Sequence, residues 1–239
     1  MITVAIIGAG PLGRWLALAA ARAGFRVLLE DVMPTNLHHA QEYIRHQLNP
    51  QRLAEPIPSP TIAPHHEITE LTDSADLRDR PVFTEDTGFL EGADPGPHTP
   101  SPNATGDLPP DSPLPIVHFV PTIEDAVREA DLVIDCVPDE LESKLEILFL
   151  LDRMAPPRTV LATPTTRLSI VDLASCTYRA DKCVAIVAEA RGLAENPAST
   201  ILLRTTPETT SATIALVRNF WQQLGYTPTF EPDTTPTPA

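Results

Sequence analysis

The apolar residues of this chain follow two alternating rhythms. Short apolar runs with no polar face read as strands covered on both sides. They are Val4–Ile7, Gly24–Asp31, Ile116–Val120, Asp131–Pro138, Thr159–Thr163 and Cys183–Val187. Between them the apolar positions take helical spacing. An alanine- and leucine-rich helix runs through Arg14–Ala21, and another spans Asn36–Leu48 with Leu37, Ala40, Tyr43, Ile44 and Leu48 near one face. Thr122 opens a helix with Glu124 and Asp125 in its first turn. A further helix starts near Asp139 and reaches about Met154, and a short one covers Leu168–Ser175. Thr210–Leu224 is amphipathic and stops at Gly225. Ser199–Arg204 reads as one more strand and Thr227–Phe230 as an edge strand. Strands and helices in alternation predict a doubly wound α/β domain with a parallel sheet.

The first strand runs into Gly8-Ala9-Gly10-Pro11-Leu12-Gly13, a G-x-G-x-x-G turn that opens the first helix. Gly8 turns the chain sharply off the strand, Gly10 lets a pyrophosphate approach the backbone, and Gly13 lets helix and strand pack closely. The unpaired N–H groups of the helix start then face the phosphates. About 20 residues on, the second strand ends in Glu30-Asp31. Asp31, or Glu30 beside it, is the carboxylate expected to bind the adenosine ribose hydroxyls and to repel a 2′-phosphate. The turn in this setting predicts a Rossmann-type dinucleotide site for NAD rather than NADP.

Composition changes the picture in one region. Of 27 prolines, about half fall between Pro56 and Pro115, and Glu55–Asp111 holds twelve acidic residues against Arg78 and Arg80. Such a stretch buries too little apolar surface to offset its ordering entropy. The expected organisation is a nucleotide-binding domain over 1–54 and 116–230, a flexible acidic insertion over 55–115, and a disordered threonine–proline tail over 231–239. The net charge of −15 argues against nucleic acid or an anionic membrane as partner. Three cysteines without C-x-x-C spacing, no membrane-length apolar run and no signal-peptide pattern predict a cytoplasmic protein with reduced thiols. His65-His66-Glu67 reads as exposed loop histidines, and no metal site is expected.

Val133-Ile134-Asp135-Cys136-Val137-Pro138-Asp139-Glu140-Leu141-Glu142-Ser143-Lys144 resembles the V-I-E-A-V-P-E-x-L-x-x-K motif of the L-3-hydroxyacyl-CoA dehydrogenases of fatty-acid β-oxidation. Leu168-Ser169-Ile170 is similar to the end of that family's S-N-T-S-S-L-S-I, and Gly225-Tyr226-Thr227-Pro228 to its G-K-x-P. The resemblance covers the family's NAD-binding domain, over about 2–54 and 116–230. It implies cofactor contacts at Gly8, Gly10, Pro11, Leu12 and Gly13, with Asp31 as the ribose acid. At the nicotinamide end it implies Val137, Pro138, Asp139, Lys144, Thr163 and Thr166. A charge in the first turn of a helix is the plain alternative for Asp139, and a solvated helix residue for Lys144.

The family's chemistry does not carry over in the same way. Its proton-abstracting histidine falls on Val187, its neighbouring asparagine on Ala190, and the glutamate that holds the histidine near Ile201. No catalytic residue is therefore assigned. Glu189 is a candidate replacement base, with a surface carboxylate as the plainer reading. After Phe230 the sequence shows no counterpart of the family's D-x-P-G-F linker and helical C-terminal domain. The expectation is an NAD-binding oxidoreductase relative that has lost its own base. Its rivals are an active enzyme that uses another base or a partner subunit on an acyl-CoA-like substrate, and a non-catalytic NAD sensor.

Overall fold

A computed structural model describes residues 1–48, 117–187 and 200–234. Among them are eight strands: β1 (Thr3–Ile7), β2 (Arg26–Glu30), β3 (Val117–Val120), β4 (Leu132–Asp135), β5 (Val160–Pro164), β6 (Cys183–Val187), β7 (Thr200–Thr205) and β8 (Thr227–Pro232). Six α-helices accompany them: α1 (Pro11–Arg22), α2 (Pro34–Gln47), α3 (Ile123–Val127), α4 (Leu141–Met154), α5 (Ile170–Ala174) and α6 (Ser211–Gln223). The expected insertion at 55–115, Glu189, Ala190 and the end of the tail lie outside the described residues.

The strands form one sheet in the order β3-β2-β1-β4-β5-β6-β7-β8. The chain order reverses between β1 and β4, and this switch point opens a crevice at the carboxyl ends of the strands. Successive side chains alternate between two apolar layers, which is why the strands carry unbroken apolar runs. Val4 and Ile6 enter the layer beneath α1 and α6, with Trp15, Phe220 and Trp221. Ala5 and Ile7 enter the opposite layer, with Ala126, Leu148, Leu151 and Leu173 from α3, α4 and α5.

Local signals set the helix ends. Thr122 Oγ1 accepts the Asp125 N–H at 3.1 Å, and Thr210 Oγ1 accepts the Thr213 N–H at 3.3 Å. After α6, Gly225 adopts φ 91°, and the Tyr226 N–H returns to the Trp221 carbonyl at 3.0 Å, which ends the helix.

Two expectations need correction. The sheet is not wholly parallel: β7 runs antiparallel to β6, with Val187 opposite Leu202, and then pairs in parallel with β8. The expected tail is also ordered further than its composition suggests. Parallel pairing with β7 carries β8 to Pro232. The Asp233 carboxylate then accepts the Ser169 hydroxyl at 2.8 Å and the Ile170 N–H at 2.7 Å, pinning this segment to the start of α5.

Candidate functional site

The glycine turn joins β1 to α1 at the switch point. Gly8 has φ 103°, a conformation that side chains with a Cβ rarely adopt, and its N–H donates to the Glu30 carbonyl at 2.8 Å. A Cβ on Gly13 would lie 1.8 Å from the Gly8 carbonyl oxygen, so α1 and the turn are in backbone contact. A Cβ on Gly10 would meet nothing within 4 Å. That glycine borders open space, as expected where an incoming ligand needs the room. Pro11 occupies the first turn of α1, and no side chain caps the helix. The donors at this helix start therefore remain available to an anion.

The structure separates the two candidate ribose acids. Asp31 Oδ2 accepts the Ala9 N–H at 2.7 Å and Oδ1 accepts the Met33 N–H at 2.7 Å, so this carboxylate is held against the glycine turn. Asn36 Nδ2 reaches both oxygens at 3.1 Å. Those two longer bonds are the ones a sugar diol would compete with. Asn36 lies in the first turn of α2, so a polar amide five residues after the acid is the sequence signal for this contact. Glu30 sits on the other face of β2, 4% exposed. Burial, reinforced by the Asp31 charge, pushes its carboxyl up to about 7.

One row crosses the sheet at its carboxyl edge. In register, Glu30 neighbours Ile7, and Ile7 neighbours Asp135. The register of β4 with β5 places Thr163 beside Asp135, and Thr163 pairs with Ala185 of β6. Beneath this row, Lys144 Nζ donates to Asp135 Oδ1 at 2.5 Å, with both side chains fully buried. Burial pushes the Asp135 carboxyl up, and the Lys144 ammonium opposes that shift. Asp135 Oδ2 and Thr163 Oγ1 are both buried, and the Thr163 hydroxyl beside the carboxylate favours its charged form. Lys144 is thus an interior residue, neither solvated nor lining the cleft. It shares one helical stripe with Ile147, Leu148 and Leu151, and a lysine on that stripe was the sequence signal for a buried partner.

Above the row, two loops converge. Val137, Pro138 and Asp139 follow β4, while Thr165, Thr166 and Arg167 follow β5. The Thr166 N–H donates to Asp139 Oδ2 at 3.3 Å, and Arg167 Nη2 donates to the Asp139 carbonyl at 2.9 Å. Asp139 Oδ1 is shielded and without a partner, an acceptor that suits the hydroxyl and amide donors of a dinucleotide. The Thr165 N–H donates to the Ile186 carbonyl at 3.0 Å, which ties this loop to the end of β6 beside Val187.

Val187 faces Leu202 across the strand pair, whereas Ile201 is buried in the opposite layer. The position facing Val187 is therefore that of Leu202, not Ile201, and neither residue carries a carboxylate. The thiols offer no nucleophile here, since burial pushes Cys136 up to about 12 and Cys183 to about 11. Among the described residues no cluster of three metal-ligating side chains occurs, and no helix is long and apolar enough to cross a membrane.

The family model described as "3-hydroxyacyl-CoA dehydrogenase, NAD binding domain" matches residues 3–86 and 107–233. The match reaches into both ends of the acidic segment and leaves 87–106 unmatched. L-carnitine dehydrogenase of Burkholderia mallei is 31% identical over 109 residues, 43% of this chain and 32% of its own length. A probable 3-hydroxybutyryl-CoA dehydrogenase of Bacillus subtilis is 36% identical over 63 residues, 26% of this chain and 22% of its own length. This chain thus spans a third or less of either relative. The crystal structure of a 3-hydroxyacyl-CoA dehydrogenase from Archaeoglobus fulgidus superposes with TM-score 0.61 at 19% identity. That superposition covers 98% of this chain and 57% of the other, and it establishes the shared fold. Because that family model covers well over half of its length, on a sheet with the same fold, the chain belongs to the family of NAD-binding domains of 3-hydroxyacyl-CoA dehydrogenase-type oxidoreductases.

Proposed function

We propose that this domain holds NAD with the pyrophosphate over Gly8, Gly10, Pro11, Leu12 and Gly13 and the adenosine ribose on Asp31. The nicotinamide end lies beside Val137, Pro138, Asp139 and Thr166, with Lys144 and the buried Thr163 supporting it from below through Asp135. The domain serves the oxidation of a 3-hydroxy substrate but does not furnish the proton acceptor from the end of β6. The observation that carries this reading is the Asp31 carboxylate held at 2.7 Å on the backbone of the glycine turn.

Bound NAD would supply the hydride acceptor for the hydroxyl-bearing carbon, held by the residues named above. The hydroxyl proton must then leave to a base, which needs hydrogen-bond reach and a suitable pKa. Val187 accepts no proton, and Leu202 across from it orients none. The names of the relatives include both a CoA thioester enzyme and an L-carnitine enzyme, so both substrate types belong in the test.

NAD should bind more tightly than NADP, because a 2′-phosphate would meet the Asp31 charge. Asp31→Ala should weaken NAD by about 1–2 kcal/mol through the lost charged acceptor. Titration calorimetry decides this: no heat with either dinucleotide, or a preference for NADP, removes the proposal.

Turnover tests the second half of the reading. Loss of a positioned base typically removes about 10²–10⁴-fold in rate. Reduction of acetoacetyl-CoA by NADH should therefore be slower than by a base-equipped dehydrogenase by at least that factor. Val187→His should restore little, because no carboxylate stands across the strand pair to hold the ring. An ordinary dehydrogenase rate in the parent chain would refute the missing base, and Glu189→Gln would then show whether that residue had taken the role.

A further inference from the structure

Arg167 is the exposed cation of the converging loops, and the cofactor reading gives it no task. It follows Thr166 directly and stands where the S-N-T-S-S-L-S-I motif has serine. Its loop is anchored at Thr165. Thr165, almost fully buried, accepts the Leu168 N–H on its hydroxyl at 3.0 Å and donates its own N–H to Ile186, one residue before Val187. The guanidinium is tethered at one corner, with Nη2 on the Asp139 carbonyl at 2.9 Å. Nε stands 4.0 Å from Asp139 Oδ2, beyond hydrogen-bond length, and the side chain remains 74% exposed. A guanidinium carries five N–H donors, so the tether leaves most of the fork open. A planar carboxylate is the group that such a fork binds through two parallel hydrogen bonds.

We propose that Arg167, held between the β4 and β5 loops beside the end of β6, is the substrate-recognition residue of this domain and that its substrate carries a free carboxylate. This rests on the cofactor reading above and narrows its substrate class to short hydroxy acids in preference to CoA thioesters. Arg167 positions the acid end of the substrate over the loop that carries Thr166, while the hydroxyl end is left toward the nicotinamide.

The test uses the full chain loaded with NAD and titrates straight-chain 3-hydroxy acids of four to six carbons, their methyl esters, and coenzyme A. Acids should bind roughly ten- to hundred-fold more tightly than the matched esters, the range expected for a charge-assisted pair. Arg167→Met should abolish that preference and leave the affinity for NAD within about two-fold. Arg167→Lys should keep part of the preference, because it retains charge but loses the fork. Equal binding of acid and ester, a preference that survives in Arg167→Met, or no acid binding to the NAD-loaded chain overturns the proposal. Binding of coenzyme A that depends on Arg167 also overturns it, since the anion recognised would then be a phosphate. If NAD itself fails to bind, the cofactor reading falls as well. NAD binding without an acid preference removes the substrate inference alone.

Discussion

Gly13→Ala should cost the domain about 3 kcal/mol, at the upper end of what overpacking usually costs. The added methyl would meet the Gly8 carbonyl oxygen at 1.8 Å, and that oxygen belongs to a backbone held to β2 by the Gly8 N–H bond to the Glu30 carbonyl at 2.8 Å. A flexible side chain would turn aside, whereas here α1 must move away from the sheet. The helix start moves with it, so NAD binding should fall in the same variant. Gly10→Ala provides the contrast, because its methyl would enter open space. That variant should unfold at nearly the parent urea concentration yet lose NAD affinity, since the methyl takes the room in front of the turn. Urea midpoints and calorimetric titration of both variants separate packing from binding. A Gly13→Ala protein as stable as its parent would show that the α1–β1 contact has slack.

Lys144→Met should destabilise the fold by about 3–5 kcal/mol, because it strands a buried carboxylate. Asp135 would keep its full burial and lose the ammonium that offsets it. The sign of the pH effect follows from the direction of that shift. In the variant the folded-state Asp135 carboxyl lies above its unfolded value, so protonation favours the fold at acid pH. Stability is then lost as the pH rises through the raised value, so the deficit should be smallest in acid and should grow with pH until that value is passed. Removing both charges with Asp135→Leu and Lys144→Met should recover most of the loss, as buried pairs replaced by apolar residues of similar volume often do. Urea denaturation at several pH values measures all three variants. A single variant with parent stability at neutral pH would mean that water or another group neutralises Asp135.

Single positions show where sequence reading succeeded and where it stopped. Local chemistry announced the glycine turn: only certain backbone conformations and approaches are open there, and three glycines at fixed spacing record them. The strands were legible because both faces of a central parallel strand are covered, which forces unbroken apolar runs such as Val4–Ile7. Thr122, Thr210 and Gly225 marked helix ends for equally local reasons.

What the tertiary structure decided involves pairs distant in sequence. It put the Asp31 carboxylate on the glycine turn and Glu30 in the opposite layer, because adjacent strand residues point to opposite faces. It drew Lys144 into the interior, because the matching acid sits on β4 in the layer that α4 covers. It set Leu202, not Ile201, across from Val187, since a register shift of one residue reverses the face. It fixed Asp233 on α5, where composition alone suggested a loose tail. It also gathered Asp139, Thr166, Arg167 and the end of β6 into one crevice. The sequence by itself determined the elements, the turn and the cofactor class, because those depend on neighbouring residues and periodicity. Which side chains meet above the sheet was left to strand order and register, which no local stretch encodes.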